Sequence, residues 1–149
     1  MIWKPNVTVA AVIEREGRFL LVEEDTDRGR LLNQPAGHLE PGESLLEAVA
    51  RETLEETAHS FTATALLGIY QYHHPAEGVT YLRFAFIGKV TDHDPRRPLD
   101  TGIVRAVWLS PEEIRLASTR HRSPLVTRCI DDYIAGRSYP LEVLYRHPV

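Results

Sequence analysis

Cysteine is nearly absent from this sequence of 149 residues, in which Cys129 stands alone. A single cysteine excludes an internal disulfide and fits a reducing compartment, so we expect a cytoplasmic protein. The sequence also lacks an apolar run long enough to cross a bilayer, and its first residues do not resemble a signal peptide. It has no stripe of basic residues and a net charge of only −4, so we expect neither nucleic acid nor a membrane as a partner.

The composition is that of an ordinary globular protein, with 43% hydrophobic and 26% charged residues, and the length suits one domain at residues 1–149. Apolar segments bounded by turn residues predict strands at 7–13, 19–22, 61–72, 80–90 and 104–109. Polar segments predict loops at 23–33 and 91–102, and cap residues predict helices at 44–57, from Ser110 onward and at 124–135. This mixture predicts an α+β fold with a mixed β-sheet sandwiched between α-helices.

The first predicted helix carries the most informative pattern. Ser44 at its start and Glu47 three residues later are typical of a capping box. Glu52, Glu55 and Glu56 share one arc of the helix, since residues three and four apart lie on one face. Another arc is predicted to face the core and contains Leu46, Val49, Ala50, Thr53, Leu54 and Thr57.

Three carboxylates on one arc repel one another, and Arg51 offsets only part of that repulsion. A bound Mg²⁺ or Mn²⁺ would remove it, because hard divalent cations prefer carboxylate oxygen. The alternative is a solvated acidic helix face. The preceding segment favours the metal site, because Gly37 has no side chain and can bring its carbonyl close to the acids. Glu43 can pair with Arg51 if this segment folds back.

The spacing of these residues resembles the Nudix box, which fixes the separations of a glycine, a glutamate, an Arg-Glu pair and a Glu-Glu pair. The matching positions are Gly37, Glu43, Arg51, Glu52, Glu55 and Glu56. Thr53, Ala58 and His59 depart from the box, but none of them replaces a charged group, so they affect the helix exit rather than the metal site.

The resemblance to Nudix hydrolases implies an enzyme that cleaves a phosphoanhydride bond of a small-molecule phosphate substrate with Mg²⁺ or Mn²⁺. It assigns metal ligation to Glu52, Glu55, Glu56 and the Gly37 carbonyl. Glu52 is the predicted general base. Glu43 and Arg51 are predicted to form a supporting ion pair, for which the alternative is a surface pair of little energetic value.

Segments 34–40, 82–84, 122–126 and 139–142 are similar to those of the NudJ-type Nudix phosphatases. That resemblance implies hydrolysis of nucleoside tri- and diphosphates, or of the hydroxymethylpyrimidine pyrophosphate of thiamin metabolism, with release of inorganic phosphate.

Substrate contacts are predicted at Gln34, His38, Arg83 and Asp100. Arg83 alternates with apolar neighbours, so its guanidinium projects to the other strand face and suits a phosphate if that face lines a cleft. The alternative is a solvated arginine. Gln34 and His38 flank the Gly37 loop. Many Nudix enzymes add an acid at the position of Gly102, and Asp100 can substitute for it if the loop bends. The alternative is that Asp100 is a plain loop aspartate.

Several other residues have more than one interpretation. Arg120 and Arg122 can reach a phosphate or be ordinary surface charge, and Tyr70, Tyr72 and Trp108 can stack on a base or pack in the core. The substrate can also be a nucleotide sugar, a dinucleoside polyphosphate or an RNA 5′ end, because the metal site does not contact the group beyond the phosphates. A catalytically silent nucleotide-sensing module is disfavoured because every acid of the box is intact. The protein can be a monomer or a homodimer.

Overall fold

The computed structural model describes residues 1–149 and contains eight strands and three α-helices. The strands are β1 (Asn6–Val12), β2 (Glu14–Arg15), β3 (Arg18–Thr26), β4 (Gly29–Asn33), β5 (Ala36–His38), β6 (His59–His74), β7 (Val79–His93) and β8 (Ile103–Leu109). The helices are α1 (Leu45–Thr57), α2 (Pro111–Leu116) and α3 (Leu125–Ile134), with 3₁₀ turns at Ser118–Arg120 and Leu141–Val143. None of the helices combines the length and apolar character needed to cross a membrane.

The strands form two sheets. The first has the order β5-β1-β7-β6, in which β1 runs parallel to β7 and antiparallel to β5, and β6 and β7 form a long antiparallel hairpin. In the second sheet β3 pairs with β2, β4 and β8, all antiparallel. The predicted α+β class with a mixed sheet is therefore confirmed, and the second, antiparallel sheet is an addition to it.

The predicted loop at 23–33 is wrong, because β3 continues to Thr26 and β4 occupies most of the remainder. Charged residues hide these strands in the sequence. Glu23 is 7% exposed, and Arg105 of β8 donates to both of its carboxylate oxygens at 3.1 Å. This cross-strand pair allows a charged residue to occupy a buried strand position.

The core lies on both faces of β1. Alternate residues of this strand enter two apolar clusters, with Ala10 and Val12 in one and Val9 and Ala11 in the other. Burial on both faces explains why the segment has a continuous apolar run. Helix α3 contributes Val126, Cys129 and Ile130 to the first cluster, and α1 contributes Ala48 and Val49 to the second.

Helix α1 begins with the predicted capping box. Glu47 N–H donates to Ser44 Oγ at 3.0 Å, and Ser44 N–H donates to Glu47 Oε1 at 2.7 Å. The predicted core-facing arc is only partly correct, because Leu46 is 39% exposed whereas Glu52 and Glu56 are each 9% exposed. The helix packs against β5, β6 and β8. Its buried face therefore includes Glu52 and Glu56, which lie outside the predicted core-facing arc.

The exit of α1 keeps a left-handed cap although the sequence has alanine there. Ala58 has φ 57°, and its N–H donates to Leu54 O at 2.9 Å. Its carbonyl accepts from Asp94 N–H at 3.0 Å, which fixes the chain that leaves the helix. An alanine in this conformation costs about 1 kcal/mol relative to glycine. The departure of Ala58 from the Nudix box therefore changes the strain at this site and not its shape.

Candidate active site

Arg51 connects the Gly37–Glu43 loop to α1. Its Nε and Nη2 donate to the two carboxylate oxygens of Glu43 at 3.0 and 2.7 Å, so the predicted ion pair is present and bidentate. Its Nη1 donates to Glu52 Oε1 at 2.8 Å and to Glu55 Oε1 at 3.1 Å. Nη2 also donates to His38 O at 3.0 Å, which ties the loop backbone to the helix. The hydrogen bonds from Arg51 lower the pKa of Glu43 and keep it ionised.

Gly37 is required by a close approach and not by an unusual backbone angle. It lies in β5 opposite Val9, and a Cβ built on it would overlap the carboxylate of Glu52. A side chain at this position would therefore displace Glu52. Only glycine lets the β5 backbone and the Glu52 carboxylate share this space.

We expect Gly37→Ala to weaken divalent-cation affinity and turnover by about tenfold, because the added methyl group pushes Glu52 away from its position. Isothermal titration with Mn²⁺ measures the affinity, and a thermal melt confirms that the variant is folded. Unchanged affinity in a folded variant would show that the Glu52 position does not matter for the cation.

Three carboxylates converge beside Arg51. Oxygen atoms of Glu52, Glu55 and Asp100 all lie within 4.8 Å of one another. The backbone N–H of Asp100 donates to Glu55 O at 2.9 Å, which holds the 94–102 loop against α1. The loop therefore bends far enough to bring the Asp100 carboxylate to the glutamates. Burial raises the pKa of Glu52, and the hydrogen bonds from Arg51 oppose that shift. A cluster of hard oxygen donors with one shared arginine fits a divalent cation.

Glu56 is a fourth acidic residue, and it lines the same cleft as Glu52. It is 9% exposed, and its Oε1 accepts from Ala36 N–H at 2.9 Å. Burial raises the pKa of Glu56 to about 8, and the negative charge of Glu52 adds to the effect. A carboxylate in this surrounding gains from a positive charge nearby, which a bound cation would supply.

A cleft of about 440 Å³ lies between α1, the first sheet and the start of α3. Gly37, Glu52 and Glu56 line it, as do the predicted residues His38 and Arg83. His38 is exposed, with its Nε2 atom 3.3 Å from Asn6 Nδ2. The structure thus brings five of the ten predicted site residues to the lining of one cavity, and Glu43, Arg51, Glu55, Gln34 and Asp100 lie outside that lining.

Arg83 is buried in the floor of this cleft, with 6% exposure, so it is not a solvated strand arginine. Its Nη1 donates to Gln34 Oε1 and its Nη2 donates to Asn33 Oδ1, both at 3.0 Å. Both acceptors are neutral, and no carboxylate forms an ion pair with Arg83. A buried guanidinium held by amides keeps its full charge for an anion that enters the cleft.

Gln34 was predicted to contact substrate, and that stays a prediction, although the residue does not reach the cleft surface. Its side chain is completely buried and does not line the cleft. Its Nε2 donates to Val126 O at 2.9 Å while its Oε1 accepts from Arg83. Gln34 is therefore a positioning residue, which fixes Arg83 relative to α3.

Several residues without a predicted site role also line the cleft, namely Tyr72, His74, Glu77, Tyr81 and Arg122. Alternation along β7 is the signal that could have found Tyr81, because it lies two residues from Arg83 and on the same strand face. Arg122 forms an ion pair with Glu24 at the cleft wall. By contrast, Tyr70 donates to Asp132 Oδ2 at 2.8 Å, and Arg15 covers the ring of Trp108 at 4.7 Å, so these two aromatics are structural.

A hydrolase of phosphoanhydride bonds requires carboxylates that bind a cation and a positive group that binds the phosphate. The cleft offers both, in the glutamates of α1 and in Arg83 of β7. The chain belongs to the Nudix family, since a sequence model described as the NUDIX domain matches residues 3–129. It is a Nudix hydrolase by sequence and by fold, as the spacing of the box predicts.

Individual relatives agree with this assignment. The chain is 44% identical over 142 residues to the protein named Phosphatase NudJ of Escherichia coli strain K12, covering 95% of this chain and 92% of that protein. A NUDIX hydrolase from Nitrosomonas europaea is 57% identical, with a TM-score of 0.95 and coverage of 97% of this chain and 98% of the other. A MutT NUDIX hydrolase from Burkholderia pseudomallei, at 18% identity, shares the fold with a TM-score of 0.74, covering 87% of this chain and 98% of its own.

Proposed function

We propose that this Nudix hydrolase cleaves nucleoside tri- and diphosphates, or a related small pyrophosphate such as hydroxymethylpyrimidine pyrophosphate, and releases inorganic phosphate. The observation that carries the proposal is that the Arg83 guanidinium, which forms no ion pair with a carboxylate, lines the same cleft as Glu52 and Glu56. The likeness to a relative named as a phosphatase, along nearly the whole chain, supports the type of product.

The proposed metal ligands are Glu52, Glu55, Glu56 and the Gly37 carbonyl. We further propose Asp100 as an acid of this cluster, because its carboxylate approaches Glu52 and Glu55. Mg²⁺ or Mn²⁺ held there would neutralise phosphate charge and make a bound water more acidic. These are the cations that fit a set of carboxylate oxygens.

The remaining residues act on the water and on the substrate. Glu52 is the proposed general base, since its carboxylate is largely buried and lines the cleft. Arg83 would bind the phosphate oxygens with its fork of N–H groups. Glu43 and Arg51 hold the loop and the acids in place. His38 is proposed to contact substrate, which its exposed position in the cleft lining supports. A single domain at 1–149, a cytoplasmic location and a monomeric or homodimeric state remain predictions.

A phosphate-release screen tests the proposal. The protein is incubated with Mg²⁺ and nucleoside tri- and diphosphates, hydroxymethylpyrimidine pyrophosphate or ADP-ribose, with and without added inorganic pyrophosphatase. We expect inorganic phosphate to appear without pyrophosphatase and to require the divalent cation. Pyrophosphate or AMP as the first product would assign the enzyme to another type of Nudix reaction. Calorimetry that detects no uptake of Mg²⁺ or Mn²⁺, even with a pyrophosphate ligand, would refute the proposed metal site.

A further inference from the structure

The cleft has a second end, which the metal and phosphate chemistry does not use. Tyr72 of β6 and Tyr81 of β7 are direct cross-strand partners, so their side chains lie on one face of the first sheet. Tyr81 is two residues from Arg83, which places both on the same face, separated by about 7 Å along the strand. Both tyrosines line the same cleft as Arg83. The pair of Tyr72 and Tyr81 therefore lies two residues along the strands from Arg83, next to the proposed phosphate position.

Glu77, in the turn between β6 and β7, is held over this end of the cleft. Tyr81 Oη donates to Glu77 Oε1 at 2.8 Å. The backbone N–H of Glu77 donates to Nδ1 of the buried His74 at 3.2 Å, and Gly78 N–H donates to His74 O at 2.9 Å. Burial and the hydrogen bond to Glu77 raise the pKa of Tyr81, so its hydroxyl stays a donor. The turn and the carboxylate are thus both fixed.

The charge of Glu77 has no partner of opposite sign that is permanently ionised. No lysine or arginine forms an ion pair with it, and the nearest such contact is to His74 at 4.0 Å. An ionised carboxylate offers acceptors only, and Tyr81 uses one of them. The free lone pairs suit N–H groups on the edge of a ring that stacks on the tyrosines, and they repel a carbonyl oxygen at the same place.

We propose that Tyr72, Tyr81 and Glu77 form a ring-binding subsite that selects heterocycles carrying an exocyclic amino group over their oxo counterparts. The two tyrosines supply the stacking surface, which accepts many rings. Glu77 supplies the selection, because it accepts a hydrogen bond from an amino group and meets repulsion from an oxygen. The inference rests on the proposed function, since the ring is presented by a substrate whose phosphates lie on Arg83.

Two pairs of nucleotides test the selection, because in each pair the exocyclic amino group is exchanged for an oxygen and the adjacent ring nitrogen gains a hydrogen. These are CTP against UTP and ATP against ITP. We expect kcat/KM to be at least about fivefold higher for the amino member, a moderate factor because the carboxylate is partly exposed. Equal values within both pairs, or higher values for the oxo members, would overturn the inference.

Variants assign the selection to its residues. Glu77→Gln should bring both ratios close to one, because an amide also offers a donor to the oxo ring, and Glu77→Ala should do the same. Tyr81→Phe keeps the stacking ring but frees Glu77, so the ratios should fall by less. Glu142→Gln and Tyr145→Phe make the same chemical changes at exposed positions outside the cleft and should keep the wild-type ratios. A ratio that survives both Glu77 variants would overturn the role of Glu77.

Failure of the proposed function is distinguishable from failure of this inference. If neither a nucleotide nor hydroxymethylpyrimidine pyrophosphate releases phosphate, the phosphatase proposal fails. The ring subsite is then judged from dissociation constants for CMP and UMP, measured by intrinsic fluorescence. Tighter binding of CMP that is lost in Glu77→Gln would support the subsite. Equal constants would refute it. If phosphate is released from all four triphosphates at equal kcat/KM, the phosphatase proposal stands and the subsite is refuted.

Discussion

Glu56→Gln is expected to turn over at least about a hundredfold more slowly than the wild-type protein while the fold survives. The glutamine removes the negative charge that a cation would bind, but its side-chain oxygen can still accept the hydrogen bond from Ala36 N–H. The buried carboxylate is costly to ionise in the absence of a cation, so its neutral replacement should not destabilise the protein. Rates of phosphate release with Mg²⁺ and a thermal melt without divalent cation measure the two effects.

Glu142→Gln is the matched control for Glu56→Gln, because it makes the same change at an exposed position with no ion pair. It should leave rate and melting temperature unchanged. A Glu56→Gln protein with near-normal rates would remove Glu56 from the metal site. A variant that is slow only because it is unfolded would be recognised by its melt.

Arg83→Met should lower kcat/KM by about a hundredfold, the cost of removing one preorganised donor to a developing phosphate charge. Stability should change little, because two opposite effects accompany the substitution. Removal of a buried cation is favourable, whereas Gln34 Oε1 and Asn33 Oδ1 lose their donor. Steady-state kinetics and thermal melts measure these quantities. The kcat/KM of Arg83→Lys should lie between those of the wild-type protein and Arg83→Met, since lysine keeps the charge but lacks the planar guanidinium.

Inorganic pyrophosphate gives a readout for Arg83 that does not depend on turnover. With Mg²⁺ present it should raise the melting temperature of the wild-type protein and have a much smaller effect on Arg83→Met. Arg115→Met is the control, because Arg115 is exposed on α2 and pairs with Asp131 outside the cleft. A normal kcat/KM together with a lower melting temperature in Arg83→Met would show that Arg83 is only structural.

The acidic part of the site could be predicted because it is local in sequence. Spacings of three and four residues on one helix fix which side chains lie together, whatever the rest of the chain does. The loop contacts of Arg51 follow the same logic over a short separation. The Nudix box is therefore readable from residues alone, including the ion pair between Glu43 and Arg51.

Contacts between distant segments were harder to predict. Gln34 and Arg83 are 49 residues apart in sequence. The sequence does not show that Gln34 is buried and accepts a hydrogen bond from Arg83. The same holds for Glu77 and Tyr81, whose importance depends on which sheet face borders the cleft. Strand β4 was missed for a related reason, since tertiary pairing with β3 outweighs the weak local preference of a charged segment.

The bond from Asp100 N–H to Glu55 O belongs to the main chain, so every residue except proline can make it. The backbone therefore fixes where residue 100 lies, and its side chain can be changed without loss of this hydrogen bond. Asparagine or serine placed there would remove one negative charge from the proposed cation site without moving the loop, and glutamate would keep the charge on a longer side chain. This position is where metal preference could be re-engineered at the least risk to the fold.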